Sequence, residues 1–326
     1  MRCAIIGLGV IGKLHLENLI LQGKEIAALC DIDTEKARAL ADSFGVTPHI
    51  YSDWKEMIEA ERPDSVHICT PHYLHAEMVI KILEENIHVL CEKPLCIKKS
   101  DIPLILEAEK NSLATLGVCH QNRYNPSTVF VKEYLKDKEI KAAYGSVAWK
   151  RTKDYYDSAD WRGTWAYEGG GVLINQALHT LDLVQYLCKE PSGVTACTEN
   201  LSLKNIIEVE DTAVATFDGE IPFTFFATNA SASDFPVEIK LKLSSGEIVH
   251  LLPNAAITQK TYKEFPKKTI AAAGKACYGS SHYYLFEDFY SCINEGRHFA
   301  IDGTEGAKVV RMILSVYESN KEKIKI

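Results

Sequence analysis

The first 122 residues alternate short apolar runs with longer segments whose apolar residues recur at helical spacing. The short runs predict β-strands at Cys3–Ile6, Ile26–Cys30, Ser65–Cys69, His88–Cys91 and Thr115–Cys119. The longer segments predict helices at Gly12–Gln22, Thr34–Ser43, Asp53–Glu59, His75–Glu85 and Asp101–Asn111. This alternation predicts an α/β fold in which helices cover both faces of a doubly wound parallel sheet.

The pattern changes from about Ala142 onward. Strands are predicted at Ser146–Lys150, Val194–Asn200, Thr212–Phe217, Pro222–Thr228, Val237–Leu243 and Glu247–Leu252. The links DGEI and SSGE are typical of hairpins, so neighbouring strands should run antiparallel. Helical segments follow at Tyr283–Glu295 and Glu305–Lys321, whereas Glu264–His282 shows no regular pattern.

A chain of 326 residues is long enough for about two domains. We expect a first domain with the doubly wound sheet over residues 1–122 and a second α/β domain, for substrate binding and oligomerisation, over residues 123–326. The last helix could pack back on the first domain.

The net charge of −8 favours neither a nucleic-acid nor an anionic-membrane partner. No apolar run approaches the roughly 20 residues that span a bilayer, and Met1 leads directly into the first predicted strand rather than into a signal peptide. None of the ten cysteines falls in a C-x-x-C pair. We therefore expect reduced core cysteines, no metal and a cytoplasmic protein.

The first predicted strand is followed by GLGVIG, with glycines at Gly7, Gly9 and Gly12. Such glycines allow a tight turn, close approach of the backbone to a pyrophosphate, and packing of helix on strand. Asp31, at the end of the second predicted strand, could accept hydrogen bonds from ribose hydroxyls and would repel a 2′-phosphate. The spacing predicts a dinucleotide site that prefers NAD to NADP, although Asp31 could also be only a turn residue.

Two further loops follow strands at the same predicted edge of the sheet, namely CTPHYLH (69–75) and CEKPL (91–95). Ligands of doubly wound folds lie beyond the carboxyl ends of the strands. Pro71 could simply shape its turn and His75 could be a surface residue. Lys93, which precedes Pro94, would point into the crevice, although a solvated lysine is the alternative.

The segment EGGGVLINQALHTLDLVQYL (168–187) predicts a largely apolar helix after three glycines. Asn175, His179 and Asp182 form one polar stripe along it. Asp182 could hold the imidazole of His179 or only anchor the helix. The glycines could bring the helix close to a cofactor and substrate, or they could form a flexible entry loop.

Together these motifs resemble the Gfo/Idh/MocA oxidoreductases, named for glucose–fructose oxidoreductase and inositol dehydrogenase. The matching elements are GLGVIG, CDID, CTPHYLH, CEKPL, QNRYNP and GGGVLINQALHTLDL, in this order. The resemblance implies a Rossmann domain followed by a domain with a large, mostly antiparallel open sheet. It also implies NAD(P)-dependent hydride transfer at a carbinol carbon of a sugar, cyclitol or sugar nucleotide, and assembly into a homodimer or homotetramer.

The resemblance assigns catalysis to Lys93, His179 and Asn175. The expected cofactor-binding residues are Gly7, Gly9, Val10, Ile11, Gly12, Asp31, Thr70, Pro71, His75, Glu92 and Lys93. The expected substrate-binding residues are Arg123, Tyr124, Trp161, Arg162, Asn175, His179 and Tyr283. Arg123, Tyr124, Trp161 and Arg162 could equally serve as interdomain struts.

Two positions depart from the family pattern. His72 stands where many members have asparagine, and Asn175 stands where inositol-dehydrogenase-like members have aspartate. Asparagine leaves hydride transfer possible but removes a negative charge beside the predicted base, which makes inositol a weaker candidate substrate. Two alternatives are a dinucleotide-binding sugar sensor without turnover, and a dihydrodiol- or biliverdin-type reductase.

Overall fold

A computed structural model describes residues 1–265, 280–319 and 321–326. The β-strands are β1 Arg2–Ile6, β2 Glu25–Cys30, β3 His49–Tyr51, β4 Ser65–Ile68, β5 His88–Cys91, β6 Leu116–Val118, β7 Ile140–Ala148, β8 Gly193–Glu199, β9 Thr212–Asp218, β10 Phe223–Thr228, β11 Glu238–Leu243, β12 Ile248–Leu252, β13 Ala255–Ile257, β14 Tyr262–Glu264 and β15 Ile324–Lys325.

The α-helices are α1 Val10–Leu21, α2 Thr34–Phe44, α3 Trp54–Glu61, α4 His75–Glu84, α5 Asp101–Asn111, α6 Pro126–Tyr134, α7 Lys153–Tyr156, α8 Leu178–Cys188, α9 Ser281–Glu295 and α10 Gly303–Ser319. Short 3₁₀ turns lie at His72–Leu74 and Gln121–Tyr124, and a π-helical turn occupies Leu173–Ala177. Most of the segment 264–282, which the sequence left unplaced, lies outside the described residues.

The chain divides into two compact units. Unit 1 comprises residues 1–96, 100–121 and the described part of 267–307, and unit 2 comprises residues 97–99, the described part of 122–266, and the described part of 308–326. The sequence placed the domain boundary after residue 122, one residue from the division at Gln121 and Asn122. Unit 1 also contains α9, a segment from the far end of the chain.

Unit 1 is built on a six-stranded sheet of order β3-β2-β1-β4-β5-β6. Every neighbouring pair in this sheet is parallel, which confirms the predicted doubly wound architecture. The sequence missed the edge strand β3, since three residues, one exposed and two partly buried, give no clear apolar run. Strands β4 and β5 are fully or nearly fully buried and carry the loops 69–75 and 92–96 at their carboxyl ends.

Unit 2 is built on a nine-stranded sheet of order β14-β13-β12-β11-β7-β10-β9-β8-β15. The hairpins β9–β10 and β11–β12 are antiparallel, as the links DGEI and SSGE predicted. Strands β7 and β10 pair in parallel, so the sheet is mixed at its centre. Strand β7 begins at Ile140, six residues before the predicted start, because its first half has no strict apolar alternation.

The core of unit 2 lies between this sheet and α8. Leu178, Leu181 and Val184 of α8 are fully buried in one cluster with Phe225 of β10 and Leu241 of β11. Burying a side chain of this size contributes roughly 1.5–3 kcal/mol. The apolar periodicity of α8 therefore reflects its packing on the sheet, which fixes the segment that carries Asn175 and His179.

Candidate active site

The loop GLGVIG joins β1 to α1 in unit 1. Gly7 has φ +88°, and a Cβ atom there would lie 2.7 Å from the Cys69 carbonyl oxygen. A Cβ atom at Gly12 would lie 2.0 Å from the Gly7 carbonyl oxygen, whereas one at Gly9 would meet nothing within 4 Å. Gly7 and Gly12 thus serve the tight turn and the helix packing, and the open side of Gly9 leaves room for a ligand.

The surroundings of this loop fit a dinucleotide. Helix α1 has no acidic residue in its first turn, so its positive end suits a phosphate. Asp31 Oδ2 accepts the Leu8 N–H at 2.7 Å, which ties the end of β2 to the glycine loop. Val10, at the start of α1, is 60% exposed. Together with half-buried Ile11, these residues would hold the pyrophosphate and ribose of a dinucleotide.

The loops after β4 and β5 are joined by His75. This imidazole is fully buried, with Nδ1 2.7 Å from the Pro94 carbonyl oxygen and Nε2 2.9 Å from the Thr70 carbonyl oxygen. Burial lowers the pKa of His75, which the contacts to the two carbonyls oppose. Pro71 follows Thr70 and lies directly before the 3₁₀ turn at His72–Leu74. His75 is therefore a link between two loops and not a surface residue.

Glu92 points into a buried group of histidines in unit 1. Its Oε1 lies 3.1 Å from His15 Nε2 and 3.4 Å from His282 Nε2, and its Oε2 accepts the Lys93 N–H at 3.2 Å. Burial by itself would raise the pKa of Glu92, but hydrogen bonds from His15 and His282 hold that pKa well below its ordinary value. The carboxylate is thus ionised and lies beside half-buried Lys93.

The same group supplies ligand types that a metal ion could use. One potential ligand atom each from His15, Glu92 and Cys119 lies within 4.8 Å of the other two, and all three residues are buried. In this structure, however, His15 and Glu92 already share a direct hydrogen bond. The hydrogen bond accounts for their proximity without an ion.

The segment after Gly171 begins with a π-helical turn and continues as α8. From Glu168 to Leu187 nearly every residue is buried, and Asn175 and His179 are two of the three that are partly exposed. The Ala177 N–H donates to the Val172 carbonyl at 2.8 Å, the wide spacing of a π turn. Such turns are frequent at functional sites, and this one precedes His179 directly.

The three glycines before this segment are required by packing within unit 2. A Cβ atom would lie 2.4 Å from Ile97 Cβ at Gly169, 2.1 Å from Tyr317 Oη at Gly170, and 1.8 Å from the Glu210 carbonyl oxygen at Gly171. Gly169 and Gly170 also have positive φ values. The alternative of a flexible entry loop does not fit these close contacts.

Asn175 is held by residues that the sequence did not single out. Its Nδ2 donates to the carboxylate of Glu168 and, at 3.2 Å, to the hydroxyl of Tyr155. The Tyr155 hydroxyl also accepts from Gln176 Nε2 at 2.8 Å and from Arg162 Nη1. Burial raises the pKa of Tyr155, and the charge of Arg162 opposes that rise. Arg162, predicted to bind substrate, therefore lies in the same hydrogen-bonded cluster as Asn175.

Glu210 is a second carboxylate that sequence reasoning missed. It accepts the Gly171 and Leu173 N–H groups at 2.8 and 3.0 Å and the Tyr317 hydroxyl at 2.9 Å. Burial raises the pKa of Glu210 to about 7, and these hydrogen bonds only partly offset the rise. The only signal in the sequence was an acidic pair, Glu210 and Asp211, just before a predicted strand.

Asp182 and Arg123 form a buried ion pair within unit 2. Arg123 donates from Nε at 3.0 Å and from Nη2 at 2.6 Å to the two oxygens of Asp182. Its guanidinium lies 4.7 Å from the ring centroid of Tyr186. This geometry favours the alternative in which Asp182 anchors the helix, and it gives Arg123 a bracing role inside unit 2.

The remaining predicted substrate residues lie in different surroundings. Trp161 is partly exposed, with its ring centroid 4.7 Å from the Arg162 guanidinium. Tyr124 is partly exposed in the 3₁₀ turn that follows β6. Tyr283 belongs to α9 in unit 1, where its carbonyl accepts from Gln22 Nε2 at 2.8 Å. Substrate contacts by these three residues stay predictions.

Two family models match the chain. One, an oxidoreductase family with an NAD-binding Rossmann fold, matches residues 1–120, and the other, a GFO/IDH/MocA C-terminal domain, matches residues 138–249. The two matches together span most of the chain and coincide with the two kinds of sheet. The chain belongs to the Gfo/Idh/MocA oxidoreductase family.

Two dehydrogenases are similar in sequence to more than half of the chain. Inositol 2-dehydrogenase of Salmonella typhimurium is 24% identical over 312 residues, which cover 91% of this chain and 87% of that protein. D-glucoside 3-dehydrogenase of Escherichia coli is 28% identical over 197 residues, which cover 59% of this chain and 55% of that protein.

Solved structures of two further dehydrogenases match this chain along its length. The WlbA dehydrogenase of Bordetella pertussis, solved with NADH and UDP-GlcNAcA, matches with a TM-score of 0.85 and 24% identity over 100% of this chain and 98% of its own. A levoglucosan dehydrogenase complex with NADH and levoglucosan matches with a TM-score of 0.89 and 20% identity, at 100% and 99% coverage.

These findings confirm the predicted cofactor and enzyme class, so the Gfo/Idh/MocA member described here is an NAD-dependent oxidoreductase.

Among the residues that the structure describes, no helix is both long and apolar enough to cross a membrane. Of the nine cysteines that the structure describes, all are free thiols, and eight of them are buried.

Proposed function

We propose that the protein transfers a hydride between NAD and a carbinol carbon of a sugar, cyclitol or sugar nucleotide. The observation that carries this proposal is the exposure pattern of residues 168–187, where Asn175 and His179 stand one turn apart and Tyr186 is the one other residue that is not buried. A polar side chain with only a structural role can be fully buried if it is paired. Asp182 of the same stripe is an example, because it is buried and bonded to Arg123.

Each proposed catalytic residue has a defined task. His179 accepts the proton of the substrate hydroxyl, because a neutral imidazole can act as a base near physiological pH. Lys93 hydrogen-bonds the same oxygen and stabilises the negative charge that develops there. Asn175, oriented by Glu168 and Tyr155, positions the substrate without adding charge. When bound, the nicotinamide supplies the hydride acceptor or donor.

The substrate class follows from the residues and from the relatives. The named relatives act on inositol and on glucosides, and one solved neighbour holds the sugar nucleotide UDP-GlcNAcA. Asn175 in place of aspartate favours sugars and sugar nucleotides over inositol. Tryptophan and arginine at positions 161 and 162 suit polyhydroxylated substrates, whose faces stack on rings and whose oxygens accept forked hydrogen bonds.

The test is the formation of NADH, followed by absorbance, with a panel of polyols, sugars and UDP-sugars. We expect turnover with at least one sugar or sugar nucleotide. Binding of NAD and of a sugar without any NADH would support the sensor instead. Reduction of a planar apolar substrate, with the sugars inert, would support the dihydrodiol- or biliverdin-type alternative.

Two substitutions test the assigned roles once a substrate is known. Lys93→Ala should abolish turnover while NAD still binds, because the glycine loop is untouched. His179→Ala should remove the acid limb of the pH–kcat profile and lower kcat by roughly 10²–10⁴-fold. Unchanged turnover in Lys93→Ala, or an acid limb retained in His179→Ala, would refute the respective assignment.

We also propose that the protein assembles as a homodimer or homotetramer through the sheet of unit 2. Phe226 of β10 and its cross-strand partner Val214 of β9 point away from the buried positions, and Val214 is 47% exposed. Light scattering at micromolar concentration should give at least a dimer, and Val214→Lys should weaken it. A monomer for the unaltered protein would defeat this proposal. The reduced cysteines favour a cytoplasmic location.

A further inference from the structure

Buried side chains contact the backbone N–H of Lys93 and the backbone carbonyl of the next residue, Pro94. Glu92 Oε2 accepts the Lys93 N–H at 3.2 Å, and His75 Nδ1 lies 2.7 Å from the Pro94 carbonyl oxygen. We propose that Glu92 and His75 are positioning residues that fix the backbone of Lys93 and thereby aim its ammonium group. This inference rests on the proposed catalytic role of Lys93.

Glu92 is itself fixed by two helices of unit 1. His15 of α1 and His282 of α9 both approach Oε1, at 3.1 and 3.4 Å, and both rings are at most 1% exposed. The carboxylate therefore uses one oxygen for the helices and the other for the Lys93 N–H. Because these partners are buried, the geometry of Glu92 is set by packing and not by solvent.

A chain of hydrogen bonds continues behind His15. His15 Nδ1 lies 2.8 Å from His67 Nδ1, and His67 Nε2 lies 2.7 Å from the Tyr290 hydroxyl. Burial lowers the pKa of both imidazoles. With both rings neutral, donors run in one direction, from Tyr290 to His67 to His15 and finally to Glu92. His15 Nε2 thus presents a proton to an acceptor, which only a carboxylate or another acceptor oxygen can satisfy.

This order makes glutamine at position 92 an informative change. Glutamine has nearly the same shape, but one of its two terminal atoms is an N–H donor. If the amide NH2 group faces Lys93, two donors meet; if it faces His15 and His282, both rings must change tautomer and the order of donors back to Tyr290 must reverse. Glu92→Gln should therefore disturb the hydrogen bond that holds the Lys93 N–H without leaving a cavity.

His75 holds the other side of Lys93 and joins two loops in doing so. The neutral ring carries one N–H and can donate to either the Pro94 or the Thr70 carbonyl, whereas the cationic ring can donate to both. Leucine at this position has a similar volume but no donor. His75→Leu would therefore release the Pro94 carbonyl. It serves as an independent test of the proposed positioning of Lys93 by Glu92 and His75, which we call the clamp.

Glu61 offers a matched control in the same unit. This carboxylate is 8% exposed and accepts from Arg2 and Tyr51 at 3.0 and 2.6 Å, far along the chain from Lys93. Glu61→Gln thus removes a buried, hydrogen-bonded carboxylate from unit 1 that contacts neither the Lys93 N–H nor the Pro94 carbonyl. It measures what the loss of such a carboxylate does to the enzyme in general.

The kinetic experiment compares Glu92→Gln, His75→Leu and Glu61→Gln in the full-length chain with NAD and the substrate found by the panel. A displacement of about 1 Å can cost 10²-fold in rate. We expect Glu92→Gln and His75→Leu to lower kcat roughly 10–100-fold, with KM changed much less, and Glu61→Gln to keep the kcat of the unaltered enzyme. Equal kcat values for Glu92→Gln and Glu61→Gln would overturn the proposal.

A second readout does not depend on activity. Reductive methylation of Lys93, followed by peptide mass spectrometry, reports the environment of its ammonium group directly. We expect the methylation rate of Lys93 to change at least threefold in Glu92→Gln and in His75→Leu, while that of Lys110 on α5 stays constant. Unchanged Lys93 labelling in both folded variants would also overturn the clamp.

These outcomes separate the clamp from the proposed function. If Lys93→Ala keeps its turnover, the catalytic role of Lys93 is wrong, whatever the labelling shows. If Lys93→Ala is inactive but Glu92→Gln and His75→Leu match the unaltered enzyme, only the clamp is wrong. One equivalent of tightly bound metal per chain, lost in Cys119→Ser, would instead make His15 and Glu92 metal ligands and overturn the hydrogen-bond order.

Discussion

Two glutamates, one in each unit, are equally buried but titrate in opposite directions. Glu92 in unit 1 has a pKa held well below its ordinary value, since hydrogen bonds from His15 and His282 outweigh its burial. Glu210 in unit 2 has a pKa raised by burial to about 7, because backbone N–H groups and Tyr317 only partly offset it. Both carboxylates accept three hydrogen bonds or close polar contacts.

The difference teaches that the number of donors does not decide the charge of a buried carboxylate. At Glu92 the hydrogen bonds and charge interactions with His15 and His282 outweigh burial, whereas at Glu210 the backbone N–H groups and the Tyr317 hydroxyl do not. Each glutamate supports a segment with a proposed catalytic side chain, Lys93 in unit 1 and His179 in unit 2. The segments that carry the two proposed catalytic side chains are therefore held by carboxylates whose pKa values are shifted in opposite directions.

The largest effect is expected from Gly171, which brings the backbone against Glu210. A Cβ atom there would lie 1.8 Å from the Glu210 carbonyl oxygen, so Gly171→Ala must displace the backbone. We expect a loss of about 3 kcal/mol or more in stability, measured by denaturant unfolding. Gly296→Ala, with φ +62° and no neighbour within 4 Å, is the control and should cost only about 1–2 kcal/mol. Equal losses would mean that close packing at Glu210 is unimportant.

The pH dependence of stability should differ in sign between the two glutamates. A raised folded-state pKa means that the contribution of Glu210 is present below about pH 4.5 and is lost as the pH rises through about 7. The shift corresponds to about 3 kcal/mol. The unaltered protein should therefore lose more stability between pH 5 and 8 than Glu210→Gln does.

Glu92 should show the reverse. Its lowered pKa means that its contribution is present above the ordinary carboxyl pKa and is lost as the pH falls through the folded value. Unfolding of Glu92→Gln and the unaltered protein should therefore converge in acid and diverge toward neutral pH. Hydrogen exchange of peptides 88–96 and 171–178 assigns each response to its own unit. If the stability of Glu210→Gln and that of Glu92→Gln, each relative to the unaltered protein, change with pH in the same direction, the predicted difference between the two glutamates is wrong.

The smallest effect is expected at His88, the first residue of the strand that leads to Glu92. Its Nδ1 accepts the Thr115 N–H at 2.9 Å, and burial lowers its pKa. The contribution of a neutral acceptor is lost as the pH falls below the ordinary histidine value. His88→Gln, whose side-chain oxygen can accept the same N–H, should make unit 1 less sensitive to acid by under about 1 kcal/mol. Thermal unfolding at pH 5 and 7 measures this, and an unchanged acid sensitivity would count against it.

The first half of the fold was open to prediction because its signals are local. Buried parallel strands such as β4 and β5 are nearly continuous apolar runs, and GLGVIG, CTPHYLH and CEKPL mark the loops that follow strands. Unit 2 was less predictable. Strand β7 lacks strict alternation in its first half, and the parallel pairing of β7 with β10 joins strands some 80 residues apart.

The sequence by itself singled out the candidate residues for the proposed chemistry, since glycine spacing, Asp31, Lys93 and His179 can be recognised from type and position. Only the tertiary structure decided what those residues contact. It assigned Asp182 to Arg123, gave the three glycines a packing role against Ile97, Tyr317 and Glu210, and surrounded Glu92 with His15 and His282. The physical reason is that the partners of a buried charge come from distant parts of the chain, and only folding brings them within hydrogen-bonding distance.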